Sequence, residues 1–262
     1  MSSIPQTRPK QAYYERNDAL MEQYLKVPEW SPLQKMALAC RILAMEGHES
    51  ALAGQISMRA EEPGTFWMLS YGLGFDEAFA SSMLRVDEDL NVVEGNGMPN
   101  PANRFHTWIY RVRPDANCLI HTHAPYVSAL SMIGQPLVAA HMDTCWFYED
   151  CAFLPEWPGV PIGDEEGEII SAALGQKRSV LLAHHGQLTT GKTIEEATML
   201  AIWIERAARL QLLASAVAPI LPINPELGRE AHDWRFKPKA VGGSFHYFAR
   251  RVLRADGDQC LA

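Results

Sequence analysis

Two short histidine runs carry the clearest chemical signal in the chain: His121-Thr122-His123 and His184-His185-Gly186. Each closes an apolar segment, residues 118–120 in the first case and 179–183 in the second. Side chains of an extended chain alternate with period two, so both imidazoles of H-x-H face the same way and can converge on one metal ion. A third ligand must come from elsewhere, and the second run can supply it. Adjacent strand residues face opposite ways, so only one of His184 and His185 can join the site, and spacing alone leaves open which. Three histidines from two strand ends would leave coordination positions free, as a catalytic metal site requires. The alternative is coincidence, since nine histidines in 262 residues make one such pair easy to obtain. Two runs, both placed after apolar strands, favour the metal.

A second motif competes. Residues 186–193, GQLTTGKT, fit the phosphate-binding pattern G-x-x-x-x-G-K-[ST]. Leu188-Thr189-Thr190 is strand-prone, so the two glycines are expected to flank a strand and not one compact loop. No later apolar strand ends in an Asp that could hold magnesium. Lys192 and Thr193 read better as a turn residue and a helix cap. Cys118, Cys145 and Cys151 have no ligand-like spacing and read as neutral thiols.

The elements that must position the histidines follow from pattern and punctuation. A weakly amphipathic helix is expected over 12–25. Ser31-Pro32 starts a second helix, with Gly47 as its stop. Strands are expected over 52–58, 65–70, 83–86 and 90–93, then a helix over 101–113 ended by Pro114. A strand over 118–121 and helices over 126–133 and 165–174 precede a strand over 179–184. Thr193 and Glu196 form a capping box that opens a long helix running towards residue 218. This order implies an α/β or α+β sandwich, one mixed sheet between helix layers. The expected organisation is an N-terminal extension (1–30, its first ten residues a loose lead-in), a main domain (31–218) and a tail (219–262). The aromatic tail packs on the core or on a neighbouring subunit, with Gly242-Gly243 as a possible hinge.

Composition bounds the partners. Lys and Arg total 23 against 31 Asp and Glu, a net charge of −8, which argues against nucleic acid and against a polybasic membrane anchor. No apolar run of about 18 residues is present to span a bilayer, and the N-terminus lacks a secretory pattern. Five cysteines without a C-x-x-C pair fit a reducing, cytoplasmic setting.

Taken together, NPANRFHTWIYRVRPDANCLIHTHAP and SVLLAHHGQLTTGKTIEEA resemble the class II aldolase/adducin superfamily over residues 31–218. The resemblance implies a three-layer α/β/α sandwich with a central, mainly antiparallel sheet, and a homotetramer with sites at subunit interfaces. It implies that His121, His123 and His185 hold the metal. The sugar-phosphate aldolases of the family carry a catalytic Glu nineteen residues before the first metal histidine, where this chain has Ala102. Their phosphate loop becomes Gly54-Gln55-Ile56-Ser57, and their Ser-Ser pair becomes Asn100-Pro101. Over nearly its whole length the chain is similar to the 3-dimethylallyl-4-hydroxyphenylpyruvate oxygenases of aminocoumarin biosynthesis. Those enzymes are described as non-haem iron proteins that oxidatively decarboxylate an aromatic 2-oxo acid.

The expectation is therefore a metal-dependent enzyme. Fe2+ is favoured, with Zn2+ or Mn2+ as alternatives, and the substrate is a small aromatic 2-oxo or 2-hydroxy acid. The runner-up is a zinc or manganese carbon–carbon lyase on a non-phosphorylated carbonyl compound, and the rival from another class is an adducin-like scaffold. Glu149, His141 and Tyr148 are the candidates for acid–base work. Gln55, Ser57, Asn100 and Arg59 are the candidates for substrate binding. His106 is expected to pack against the sheet.

Overall fold

The computed structural model describes residues 9–262, so residues 1–8 of the expected lead-in lie outside the described residues. Strand alternation organises everything that follows. In β5 (Cys118–Thr122), Leu119 packs into one apolar cluster while Cys118 and Ile120 pack into another. The strand is thus buried on both faces and reads as a nearly continuous apolar run. It sits in the middle of an eight-stranded sheet, β4-β3-β2-β1-β5-β8-β7-β6. The other strands are β1 (Gln55–Arg59), β2 (Phe66–Leu69), β3 (Met83–Val86), β4 (Val92–Glu94), β6 (Cys151–Leu154), β7 (Ser179–Leu182) and β8 (Gly186–Gly191). Every pairing is antiparallel except β6 with β7.

Helices cover both faces, giving an α/β/α sandwich. On the Leu119 face lie α3 (Arg104–Val112) and α5 (Asp164–Leu174), which contribute Phe105, Ile109, Tyr110, Ile170 and Leu174. The Ile120 face is covered by α2 (Pro32–Met45) and α6 (Ile194–Ser215). Ser31 caps α2 with a reciprocal capping box, and Pro32 follows at the first helical position. At α6 the expected box is half made. Thr193 accepts from the Glu196 amide, but the Glu196 carboxylate pairs with Arg178 instead of reaching back.

Several boundaries move. Residues 186–191 form β8, so the phosphate-loop pattern has no loop to act with. Residues 101–103 form a 3-10 turn ahead of α3, and β7 stops at Leu182. The edge strand β6 is new; four residues beside a Tyr-Glu-Asp run leave too little pattern to read. The tail forms α7 (Pro225–Arg235) and α8 (Pro238–Asp256). Gly242 and Gly243 lie inside α8 and are no hinge, because Val241, Phe245, Phe248 and Val252 anchor that helix in the Ile120-side core. The N-terminal helix α1 (Lys10–Tyr24) buries nothing itself. It is tied to the tail by Tyr14 on Trp234, by Lys239–Glu22 at 3.1 Å and by Lys237–Asp18.

Candidate metal centre

The three histidines meet at the carboxyl end of β5 and the β7–β8 turn. His121 and Leu119 share a face, and His123 follows as the chain leaves the strand. Nε2 of His121 lies 2.9 Å from Nε2 of His123, and the three ring centroids are 4.7–4.8 Å apart. One ligand nitrogen from each ring falls within 4.8 Å of the others. His121 is buried, and His123 and His185 are half-buried.

The choice between His184 and His185 is made by a turn. Leu182 pairs with Gly186, so Ala183, His184 and His185 form the three-residue loop of a hairpin. His184 adopts φ +57 and is exposed, which swings His185 back over the sheet. Gly186 must be small here. A Cβ on it would stand 2.5 Å from the Thr122 carbonyl oxygen and 2.9 Å from Cδ2 of His123.

Neighbouring groups set the orientation and charge of the rings. Nδ1 of His121 donates to the Gln187 carbonyl at 2.7 Å, so the Nε2 lone pair faces the other two rings. Phe105 packs on His121 in a T-shaped contact, with centroids 5.3 Å apart. Burial, reinforced by His185, His123 and His106, holds the His121 imidazole well below its ordinary protonation range. Burial and the nearby His123 bring His185 down to about 4, and burial lowers His123 too. Three neutral imidazoles with converging nitrogens are a donor set that a divalent transition metal fits.

Behind the ligands, on the opposite face of β5, Thr122 Oγ1 bridges Nδ1 of His48 and the side-chain amide of Gln187, each at 2.9 Å. His48, Thr122 and Gln187 are all buried, and burial with the charge of Arg206 lowers His48 to about 3. Glu205 of α6 accepts from the amides of Tyr126 and Val127 at 2.9 and 2.8 Å. It thereby caps α4 (Pro125–Met132), whose N-cap Ala124 has no capping side chain and directly follows His123. Sequence reading found none of these supports, although Thr122 and Gln187 stand inside the motifs themselves.

The expected substrate groups divide. Gln55 is the cross-strand partner of His121 and is buried beside it. Ser57 lies on the same face, bonded to Nδ1 of His106 at 2.7 Å and to the Tyr110 hydroxyl at 3.0 Å. Asn100 is a structural cap: its Oδ1 accepts from the Ala102 amide and its Nδ2 donates to the Leu52 carbonyl. Arg59 is spent on the backbone. It donates to the carbonyls of Ala116, Tyr110 and Arg113 and latches the end of α3 to β1.

The expected acid–base trio is not brought to the histidines within the chain. Strands β6 and β7 run parallel with Cys151 opposite Ser179, so residues 148–149 lie off the start of β6, whereas His185 follows the far end of β7. Glu149 is exposed and paired with Arg229, and Tyr148 packs on Gly228 of α7. His141 is exposed and accepts from the Asp143 amide at 3.1 Å, capping the 3-10 turn Met142–Phe147. That turn packs its Trp146 and Phe147 into the Ile120-side core.

Known proteins share this arrangement of elements. The model of the class II aldolase and adducin N-terminal domain matches residues 34–212. A 4-hydroxy-3-prenylphenylpyruvate oxygenase/4-hydroxy-3-prenylbenzoate synthase of Streptomyces roseochromogenus subsp. oscitans is 30% identical over 197 residues, 74% of this chain and 71% of that protein. The decarboxylase NovR of Streptomyces niveus is 30% identical over 197 residues, 74% of this chain and 73% of its own length. The structure of an L-fuculose 1-phosphate aldolase from Glaciozyma antarctica PI12 superposes with a TM-score of 0.83 at 26% identity, covering 93% of this chain and 99% of that one. With its sandwich, its histidine centre and a match spanning most of its length, the chain belongs to the class II aldolase and adducin N-terminal domain family.

Proposed function

We propose that this chain is a divalent-metal enzyme that oxidises or decarboxylates a small aromatic 2-oxo or 2-hydroxy acid. Fe2+ is the favoured ion, and the assembly is a homotetramer in a reducing cytoplasm. The observation that carries the reading is the convergence of His121, His123 and His185 as neutral rings, with Ala102 where the sugar-phosphate aldolases keep a carboxylate. Neutral ligands leave the ion's full positive charge for a carboxylate-bearing substrate. Bound Fe2+ would supply a chelation point for such an acid and redox access to dioxygen, whereas Zn2+ or Mn2+ would supply a Lewis acid.

The chain's own residues do the rest. Gln187 holds His121 in the tautomer that presents Nε2, and Phe105 walls off the ring. Gln55 offers an amide next to His121. The partly buried methyl of Ala102 cannot give or take a proton, so the chemistry this site favours needs none from that position. The names of the two Streptomyces relatives support the oxidative and decarboxylating reading. The superposition on an L-fuculose 1-phosphate aldolase supports a second one, a carbon–carbon lyase.

Anaerobic protein loaded in turn with Fe2+, Zn2+ and Mn2+ and offered aromatic 2-oxo acids separates them. Oxygen uptake matched by carbon dioxide release with Fe2+ alone, and lost in His121→Ala, is expected. Turnover without oxygen would establish the lyase instead. A protein that takes up no stoichiometric metal would be an adducin-like scaffold.

A further inference from the structure

Beside His121 lies a row of buried polar side chains, each with one atom left unpartnered, although Gln55 Nε2 donates to the Ala53 carbonyl at 2.6 Å and His106 Nδ1 meets Ser57 at 2.7 Å. Helix α3 runs parallel to β1: its start follows the Asn100–Leu52 contact, its middle rests on Ser57 through His106, and its end is latched by Arg59. Asn103, one turn before His106, therefore falls alongside Gln55, which is paired with His121. Gln55, Asn103 and His106 are 5%, 1% and 0% exposed. Among the described residues, Oε1 of Gln55, Oδ1 of Asn103 and Nε2 of His106 are all buried without a hydrogen-bond partner. Asn103 occupies the N-cap position of α3 yet makes no capping bond, so its amide is not spent on the helix. Three such orphans in one place are costly unless something fills the site.

The donor pattern says what. Tyr110 and Ser57 each carry one hydroxyl hydrogen. Both are used only if Tyr110 donates to Ser57 and Ser57 donates to Nδ1 of His106. Nε2 of His106 is then an N–H donor beside Gln55 Oε1, an acceptor whose orientation is fixed by the Nε2 bond to Ala53, and beside the Asn103 amide, which can present either end. A hydroxyl group satisfies both kinds at once, accepting from His106 and donating to an amide oxygen. A phosphate dianion cannot donate to the Gln55 oxygen, and the arginines of this face are already committed. Arg59 is spent on backbone carbonyls, Arg113 on Asp115 and backbone, and Arg104 on Asp164 and Asp89.

We infer that Gln55, Asn103 and His106 form the specificity wall of the substrate site, and that it selects a hydroxyl-bearing carboxylate over a phosphate ester. The inference rests on the metal-enzyme reading above and assigns the groups that recognise its substrate.

The test uses the full chain loaded with Co2+, whose visible absorption reports ligand entry, titrated with 3-phenyllactate, 3-phenylpropionate and 2-phosphoglycolate. His106→Asn keeps an amide near the Nδ1 position that meets Ser57, and His106→Gln keeps one near Nε2. His106→Asn and Asn103→Leu are expected to weaken 3-phenyllactate about tenfold, the loss of one to two buried hydrogen bonds. His106→Gln should retain it, and 3-phenylpropionate should bind all forms alike. Melting temperature and Co2+ affinity should stay near wild type. Unchanged 3-phenyllactate binding in both His106→Asn and Asn103→Leu would overturn the inference. So would a larger loss in His106→Gln than in His106→Asn, the mark of a group that only props Ser57, or tighter binding of 2-phosphoglycolate by the wild type. A wild type that shows no Co2+ spectrum would instead sink the metal-enzyme reading, and this inference with it.

Discussion

Gly186 lies so close to Thr122 that a Cβ added to it would stand 2.5 Å from the Thr122 carbonyl oxygen, with Cδ2 of His123 only 2.9 Å away. The glycine after the second histidine run is therefore what lets the two ligand-bearing segments touch. Gly186→Ala should separate them, costing about 1–3 kcal/mol of stability and lowering metal affinity at least tenfold in a chelator competition. His184→Ala, at the exposed crest of the same turn, should leave affinity unchanged. Equal affinities for Gly186→Ala and wild type would refute the packing argument.

The histidine centre is expected to make the metal-free protein acid-sensitive. The rings of His121, His123 and His185 titrate below their unfolded value near 6.5, with His185 at about 4. Between those limits the unfolded chain binds more protons than the folded one, so stability is full above about pH 6.5 and is lost as pH falls towards 4. Urea midpoints of the metal-free protein should fall across this window. A saturating metal should raise them most at the upper end, where its ligands need no deprotonation. A flat profile in the metal-free protein would contradict neutral, buried rings.

Glu205 ties the site to α6. Glu205→Ala removes both acceptors from the first turn of α4 and should destabilise the fold by about 1–3 kcal/mol. Because that turn begins right after His123, metal affinity should drop as well. Urea unfolding and a chelator titration read the two effects separately. A stability loss with unchanged affinity would show that His123 is held by other contacts.

The tail carries a titration of the opposite sign. His232 contacts Asp150 at 3.2 Å and Asp233 at 3.0 Å. Burial works against its charge, but the two carboxylates outweigh it and hold the imidazolium above its ordinary range. Its contribution is fully present below the unfolded value near 6.5 and is lost as pH rises through the folded one. Amide exchange of α7 should therefore quicken on the alkaline side of neutrality, and His232→Gln should flatten that dependence. If exchange in the variant keeps the wild-type pH profile, another group loosens the helix.

The amino-acid pattern by itself determined the elements whose signals are local. The capped start of α2, the apolar runs of β5 and β7 and the strand inside GQLTTG follow from caps, period and β-propensity over a few neighbouring residues. The pairing of His121 with His123 on one face follows from strand alternation. Edge strand β6, with four residues, and the proline-flanked helices α7 and α8 exist through their packing partners, which no short window contains. The same distinction holds at the site. Only the folded chain decided that the β7–β8 turn directs His185 inward and His184 outward, and that Arg59, Asn100 and Glu149 are committed to backbone or surface partners. Only it placed Asn103, the residue before α3, and His106 of α3 over β1 beside the strand that carries His121. Those outcomes depend on which strands become neighbours and how close their backbones come, a property of the packed sheet rather than of any stretch of sequence.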